Sequence, residues 1–111
     1  MPLSKEDILN IEKLGYKREE FVEMRNGIPR LKNVNGHCVF LDVSTGKCTI
    51  YTTRPTGCKL YPLIFVKGIG VQLDPLCPKS EYINRELVSR LIPRLIEFLR
   101  KLEKEYNVKV L

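Results

Sequence analysis

The sequence contains no tryptophan, no alanine, one glutamine and one histidine. No stretch comes near the roughly 18 to 20 consecutive apolar residues of a membrane-spanning helix, so we expect no membrane segment. The first residues lack the basic and apolar regions of a secretion signal, which predicts a cytoplasmic location. The abundance of Lys, Glu, Ile and Leu favours a thermophilic source.

Sequence motifs of several common functions are also missing. The chain has no phosphate-binding glycine loop, no Ser/His/Asp set and no methyl-donor glycine motif. Its net charge is +6, but the basic residues are spread along the chain without a run of five. A solvated surface accounts for them, which disfavours nucleic acid as a partner. A protein partner or substrate stays open, as does the oligomeric state.

The length of 111 residues predicts one domain, residues 1–111. Ser4 is a good N-cap for a helix over residues 3–15, with Asp7 at the third helical position. A second apolar stripe predicts a long C-terminal helix from Ser80 that continues through Pro93. The stripe comprises Ile83, Leu87, Leu91, Leu95, Leu99 and Leu102.

Between these helices, turn residues alternate with β-rich runs. We therefore predict an α+β fold: a small single domain in which short antiparallel β-hairpins pack with an N-terminal helix and a long C-terminal helix. Asn26-Gly27 favours a hairpin within residues 21–32, although residues 19–24 could form a short helix. The other predicted elements are a hairpin of residues 37–42 and 48–51, a helical turn capped by Thr53, a hairpin of residues 63–67 and 70–73, and a rigid turn over residues 74–78.

Four cysteines, Cys38, Cys48, Cys58 and Cys77, follow the spacing C-x9-C-x9-C-x18-C. This spacing is neither that of a zinc ribbon nor that of a ferredoxin. Each cysteine falls at a strand edge or beside a turn that contains Gly or Pro, so folding could bring four thiols together from separate loops. A metal-free structural domain with two disulfides stays open as an alternative, since intracellular disulfides occur in hyperthermophiles.

Residues 38–42, 46–51, 54–62 and 76–78 closely resemble the cysteine-cluster family of zinc- or iron-chelating domains, which includes a flagellin lysine N-methylase. The central match is C-x-I-Y-x-x-R-P-x-x-C-[RK]-x-Y-P. The resemblance implies a metal site built on cysteine thiolates, with zinc or an iron-sulfur cluster as the cofactor. An accessory or catalytic module of a lysine N-methylase-like enzyme is a third interpretation, and whether the chain is an enzyme stays open.

One feature departs from this family's pattern. Its members usually begin with a cluster C-x3-C-x2-C-C just before a segment like residues 3–8, and this sequence has no such cluster. Either the four cysteines form a complete site of their own, or they are the remainder of a larger set. We favour the second interpretation, which predicts substoichiometric or labile metal binding.

Several neighbours of the cysteines are candidates for supporting roles. The cations of Lys47, Arg54 and Lys59 would offset thiolate charge. Tyr51 and Tyr61, each three residues after a cysteine, are expected to pack under the site. His37 is a secondary ligand candidate, because adjacent side chains of a strand point to opposite faces. Capping or turn roles are expected for Asp7, Asp42 and Asp74.

Overall fold

The computed structural model describes residues 1–74 and 83–111, and these residues confirm the predicted α+β class. They form two units, Met1–Pro55 and Thr56–Leu111. The first unit contains α1 (Lys5–Glu12), α2 (Arg18–Phe21), β1 (Val22–Arg25), β2 (Ile28–Leu31), β3 (Asn33–Val34), β4 (His37–Cys38), β5 (Leu41–Asp42), β6 (Lys47–Cys48) and a 3₁₀ helix (Tyr51–Thr53). The second contains α3 (Thr56–Leu60), β7 (Leu63–Val66), β8 (Gly70–Leu73) and α4 (Arg85–Tyr106).

The N-terminal helix α1 begins as its sequence predicts. The Ser4 hydroxyl accepts a hydrogen bond from the Asp7 amide at 3.1 Å, and the Asp7 carboxylate accepts one from the Ser4 amide at 3.1 Å. This capping box satisfies two amides that the first helical turn would leave unpaired. The helix is shorter than the predicted 3–15 because the amides of Leu14 and Gly15 bond three residues back, in tighter turns.

The hairpin β1–β2 follows α2 directly, so both interpretations of this region hold in part. The short helix is confined to Arg18–Phe21, and the hairpin turns at Asn26-Gly27. Both turn residues have positive φ angles, 54° and 80°, as a two-residue hairpin loop that matches the strand twist requires. The expected hairpin within residues 21–32 is confirmed.

The prediction of one strand over residues 37–42 is wrong. Asn35-Gly36 forms the turn of a separate hairpin. Its strands pair Asn33 with Cys38, and the pairing ends at Cys38. A second hairpin, β5–β6, pairs Leu41 with Cys48. The strand expected to reach Tyr51 ends at Cys48, because the chain turns into the 3₁₀ helix.

The apolar core of the first unit draws on both its helices and its hairpins. Phe40, between β4 and β5, is buried and contacts the rings of Tyr16 and Phe21 at centroid distances of 5.0 and 5.9 Å. Burying one such side chain contributes roughly 1.5–3 kcal/mol. The buried apolar residues of this unit include Leu3, Ile8, Ile11, Phe21, Ile28, Leu31, Phe40 and Ile50.

The long C-terminal helix is a single element through Pro93, as predicted. Its expected start at Ser80 lies outside the described residues; the described helix begins at Arg85, after the N-cap Asn84, so Ile83 precedes it. Leu87 was expected on the buried face, but 45% of it is exposed. Repeated steps of four residues drift by about 40° each around a helix of 3.6 residues per turn. Leu91, Leu95, Leu99 and Leu102 of the predicted stripe lie in the core cluster, and Val88 and Phe98 join them at steps of three residues.

The core of the second unit joins α4 to α3 and to the predicted β7–β8 hairpin, which is confirmed with Leu63 opposite Leu73. Leu60 from α3 and Leu63 from β7 are both buried in this cluster. The expected cap of the Cys58 turn was wrong, because Thr53 closes the 3₁₀ helix and α3 begins after Pro55. No helix within residues 1–74 and 83–111 is long and apolar enough to cross a membrane.

Candidate metal centre

Cys38 and Cys48 lie on the two smallest hairpins of the first unit. Cys38 ends β4 and pairs with Asn33, and Cys48 ends β6 and pairs with Leu41. Each strand of these hairpins has two residues, and both cysteines are half-buried. The thiols are therefore carried by segments whose shape is dictated by their turns rather than by long strand ladders.

The chain between these two hairpins is fixed by backbone hydrogen bonds around Phe40. The Val39 amide donates to the Lys32 carbonyl at 2.9 Å, and the Thr49 amide donates to the Phe40 carbonyl at 2.8 Å. The first bond holds the segment after Cys38 on Lys32, and the second holds the segment after Cys48 on the backbone of the buried Phe40. Phe40 directly follows the first segment and accepts from the second, so it is the core residue closest to both cysteine hairpins.

Cys58 belongs to the second unit and has a different support. It is the third residue of α3, is half-buried, and lies between the buried Gly57 and the exposed Lys59. A five-residue helix has little stability of its own. The buried side chain of Leu60 holds α3 on the apolar cluster of α4.

The donor chemistry of the described cysteines fits zinc or an iron-sulfur cluster. Cys38, Cys48 and Cys58 are not disulfide-bonded, and thiolate sulfur is the ligand that both cofactors accept. In residues 1–74 and 83–111, no three His, Cys, Asp or Glu side chains are grouped around one point. Cys77, and most of the rigid turn predicted over residues 74–78, lie outside the described residues. The described residues therefore match zinc or an iron-sulfur cluster in the type of ligand atom that they supply.

Arg54 is engaged with Tyr51. Its guanidinium lies 4.1 Å from the centre of the Tyr51 ring, and its Nε donates to the Tyr51 carbonyl at 3.1 Å. This is a cation–π contact with an additional hydrogen bond. The expectation that Tyr51 packs under a site is wrong, since 61% of the residue is exposed.

Tyr61 is likewise exposed rather than packed beneath a site. Its hydroxyl donates a hydrogen bond to the carboxylate of Asp74. In the same place the Asp74 amide donates to the Pro62 carbonyl at 2.8 Å. The pair therefore closes the base of the β7–β8 hairpin, and Asp74 has the turn role expected of it.

The other candidates for supporting roles lie at strand and helix surfaces. Lys47 and Lys59 are exposed and adjoin Cys48 and Cys58 in sequence, so their charges are available to thiolates through water. His37 precedes Cys38 in β4, where neighbouring side chains point to opposite faces. The lysines remain candidates for offsetting charge, and His37 remains a secondary candidate.

Asp42 organises the turn before Cys48. Its carboxylate accepts hydrogen bonds from the Ser44 hydroxyl at 2.7 Å and from the Ser44 amide at 3.0 Å. These bonds hold the pKa of the Asp42 carboxyl below its usual range, because they favour the charged form. The turn role expected for Asp42 is confirmed, as is the capping role of Asp7.

Sequence reasoning missed two contacts near the cysteines: the packing of Phe40 and the Tyr61–Asp74 hydrogen bond. Phe40 falls inside the run that was assigned to one strand, so its central position between two hairpins was hidden. The Tyr61–Asp74 contact spans thirteen residues, and no local pattern predicts such a contact. The placement of Asp74 one residue after β8 is the one signal that could have suggested it.

Comparison with known proteins identifies a family and a relative. A family model named CxxCxxCC, with the description "Putative zinc- or iron-chelating domain", matches residues 1–107. An uncharacterized protein of Methanocaldococcus jannaschii, MJ0661, is 49% identical over 45 residues, which is 40% of this chain. The match covers 25% of that relative's length. No solved structure matches the chain.

Proposed function

Because the chain belongs to this family of zinc- or iron-chelating domains, we propose that it binds a zinc ion or an iron-sulfur cluster through cysteine thiolates. The observation that carries the proposal is the state of the described cysteines: half-buried thiols in short turns and hairpins, none in a disulfide. The proposed ligands, within one functional domain of residues 1–111, are Cys38, Cys48, Cys58 and Cys77.

Partial burial suits this role. A thiol inside an apolar core is inert, and a fully exposed one gains little from its surroundings. Four thiolates around a zinc ion leave a net charge of about −2, which backbone amides and nearby cations must offset. Lys47 and Lys59 support this part of the proposal because they are exposed beside two of the ligands.

The small size of the β3–β4 and β5–β6 hairpins also supports a metal. Two-stranded hairpins are marginally stable in water by themselves, and these have two residues in each strand. A bound metal would act as a staple, because its binding energy contributes to folding when the unfolded chain has no preformed site. We therefore expect metal removal to loosen residues 33–48 first.

Neither alternative interpretation gains an observation of its own. A two-disulfide domain requires cysteine pairs, and none of the three described cysteines is disulfide-bonded. For the methylase-like interpretation, the described residues supply no further support. Metal binding through the cysteine thiolates is therefore the function that we propose.

Anaerobic purification, metal analysis and a visible spectrum test the proposal. An iron-sulfur cluster absorbs visible light and zinc does not, so one preparation also distinguishes the two cofactors. We expect zinc or iron to copurify with the chain. Absence of both metals, together with failure to bind added zinc or to accept a reconstituted cluster, would refute the proposal.

Serine variants of the cysteines identify the ligands. Cys48→Ser and Cys58→Ser should each lower bound metal and thermal stability together, since affinity and folding are coupled. Thr49→Ser, at an exposed position beside Cys48, is the matched control and should bind as the unmodified chain does. Undiminished metal content in both cysteine variants would remove them from the ligand set.

A further inference from the structure

The hydrogen bond between Tyr61 and Asp74 joins the two ends of one hairpin. Tyr61 is the first residue after α3, and Asp74 is the first after β8. Their side chains meet, and the Asp74 amide bonds to the Pro62 carbonyl next to the Leu63–Leu73 pair. The contact therefore fixes the direction in which the chain passes from α3 into the hairpin.

Cys58 is placed by α3, and α3 depends on its C-terminal end. The five-residue helix is held by Leu60, which is buried in the α4 cluster, and by the chain that follows. Loss of the Tyr61 contact would remove a side-chain contact at the C-terminal end of α3, next to the buried Leu60. A change in the orientation of so short a helix would change where the Cys58 thiol lies.

The other tyrosine that follows a cysteine by three residues makes a different kind of contact. Tyr51 follows Cys48 by three residues, as Tyr61 follows Cys58. The Tyr51 ring contacts Arg54, a residue close in sequence, whereas the Tyr61 hydroxyl reaches across thirteen residues to Asp74. Only the second contact connects a cysteine-bearing element to a distant part of the chain.

We propose that Tyr61 and Asp74 are positioning residues that set the Cys58 thiol for metal binding. The inference rests on the proposed metal-binding function and adds two residues that donate no ligand atom. Residues that orient metal ligands from outside the coordination shell commonly affect affinity by tenfold or more when they are replaced. The Tyr61–Asp74 bond is exposed, so we expect an effect near the lower end of that range.

Anaerobic titration of the full metal-free chain with Co²⁺ tests the inference. The readouts are the apparent affinity and the intensity of sulfur-to-cobalt charge-transfer absorption per bound ion. Tyr61→Phe should weaken binding about tenfold and lower that intensity, because one thiolate is displaced. Tyr51→Phe keeps its ring contact with Arg54 and is the matched control, for which we expect no change.

Two variants of Asp74 separate positioning from general destabilisation. Asp74→Asn keeps an oxygen that accepts from the Tyr61 hydroxyl and should retain affinity within about threefold, whereas Asp74→Ala should behave like Tyr61→Phe. Circular dichroism of each metal-free variant establishes that it is folded. If Tyr61→Phe does not fold, the comparison of Asp74→Ala with Asp74→Asn decides.

The outcomes distinguish this inference from the proposed function. If the unmodified chain binds neither Co²⁺ nor zinc, the metal-binding proposal fails and the inference falls with it. If the unmodified chain binds and Tyr61→Phe matches Tyr51→Phe in affinity and spectrum, the positioning role alone is overturned. Equal losses in Asp74→Asn and Asp74→Ala would overturn it as well, since the retained acceptor should matter.

Discussion

The two units hold their cysteines by different means. In the first unit, Cys38 and Cys48 lie on two-residue strands, and the segments after them bond to the backbone around Phe40. In the second, Cys58 lies on a short helix that is held by Leu60 in an apolar cluster with α4. The first arrangement depends on turn conformation and one aromatic anchor, and the second depends on burial against a long helix.

This difference has a consequence for how each cysteine responds to change. A hairpin with two-residue strands has few hydrogen bonds to lose, so a strained turn alters the whole element. A helix held by one buried leucine in an apolar cluster responds to cavities in that cluster. Variants that separate turn strain from core loss should therefore affect the two units differently.

The largest expected effect is the loss of a core anchor. Phe40→Ala should destabilise the metal-free chain by about 3–5 kcal/mol, and Leu102→Ala, at a fully buried position of α4, by about 2–5 kcal/mol. Denaturant unfolding measures both. Val43→Ala is the control, because that residue is 70% exposed and should change stability by less than about 0.5 kcal/mol.

The difference between the two units predicts which thiols become more exposed in each core variant. Phe40→Ala should speed alkylation of Cys38 and Cys48 more than that of Cys58, and Leu102→Ala should do the reverse. Mass spectrometry of alkylated peptides measures the rates. Equal acceleration at all three cysteines in both variants would show that the units do not support their cysteines separately.

A smaller effect is expected from strain in the hairpin turns. Gly46 precedes β6 with a φ angle of +70°. A Cβ at this position would meet no atom within 4 Å, so Gly46→Ala would lose stability through backbone strain and not through a steric clash. We expect a loss of about 1–2 kcal/mol. Thermal unfolding of the metal-free chain measures it.

Gly68→Ala is the matched variant in the second unit. Gly68 has a φ angle of +86° and the same open space, so its cost in stability should be similar. Zinc affinity should fall in Gly46→Ala, whose turn leads into Cys48, and should change less in Gly68→Ala. If the two variants lose zinc affinity equally, turn strain in the first unit has no special importance for the metal.

The interior proline of α4 should have a modest effect. Pro93→Ala restores an amide donor in the helix interior, and the apolar stripe already continues through this position. We expect stability to stay equal or to rise by about 1 kcal/mol, since the loss of proline rigidity in the unfolded chain offsets part of the gain. A loss above about 2 kcal/mol in thermal unfolding would show that packing depends on the proline.

The smallest expected effect is the acid response of two carboxylates, one in each unit. Asp42 accepts from Ser44, and Glu103 accepts from the amides of Val110 and Leu111 at 2.9 and 3.2 Å, so both carboxyl pKa values lie below their ordinary range. A lowered folded-state pKa contributes stability above the unfolded pKa of about 4. That contribution is lost as the pH falls through the folded pKa.

Amide chemical shifts of Ser44, Val110 and Leu111 during an acid titration measure these contacts. Their transitions should fall below the ordinary carboxyl range, and Asp42→Asn and Glu103→Gln should each remove the transition at their own contact while leaving the other unchanged. A transition that persists in its own variant would assign the pH response to a different group.

Local sequence signals predicted much of the fold. The capping box of Ser4 and Asp7, the Asn26-Gly27 turn and the unbroken C-terminal helix all follow from nearby residues. The local signals failed for the strand predicted over residues 37–42. Asn35-Gly36 is the turn of a separate hairpin, so the paired segment ends at Cys38. In the C-terminal helix, counting in steps of four residues placed Leu87 on the buried face. The residue that packs against the core cluster is Val88, as the period of 3.6 residues per turn requires.

The candidate site was less accessible to sequence reasoning than the fold. Residue type and neighbouring turns identified the cysteines, and those features are local. The long-range contacts near them are not local: the Phe40 ring packs against Tyr16 and Phe21, and the Tyr61 hydroxyl bonds to Asp74. Such contacts depend on how separate elements pack, which no short sequence window contains.

Residue-resolved alkylation of the chain with bound metal tests the central claim most directly. The anaerobically purified protein is treated with iodoacetamide before and after removal of metal by a chelator, and each cysteine peptide is quantified. We predict that Cys38, Cys48, Cys58 and Cys77 are protected with metal bound and reactive after its removal. Reactivity that is the same in both states at all four cysteines would contradict a thiolate-ligated metal in this protein.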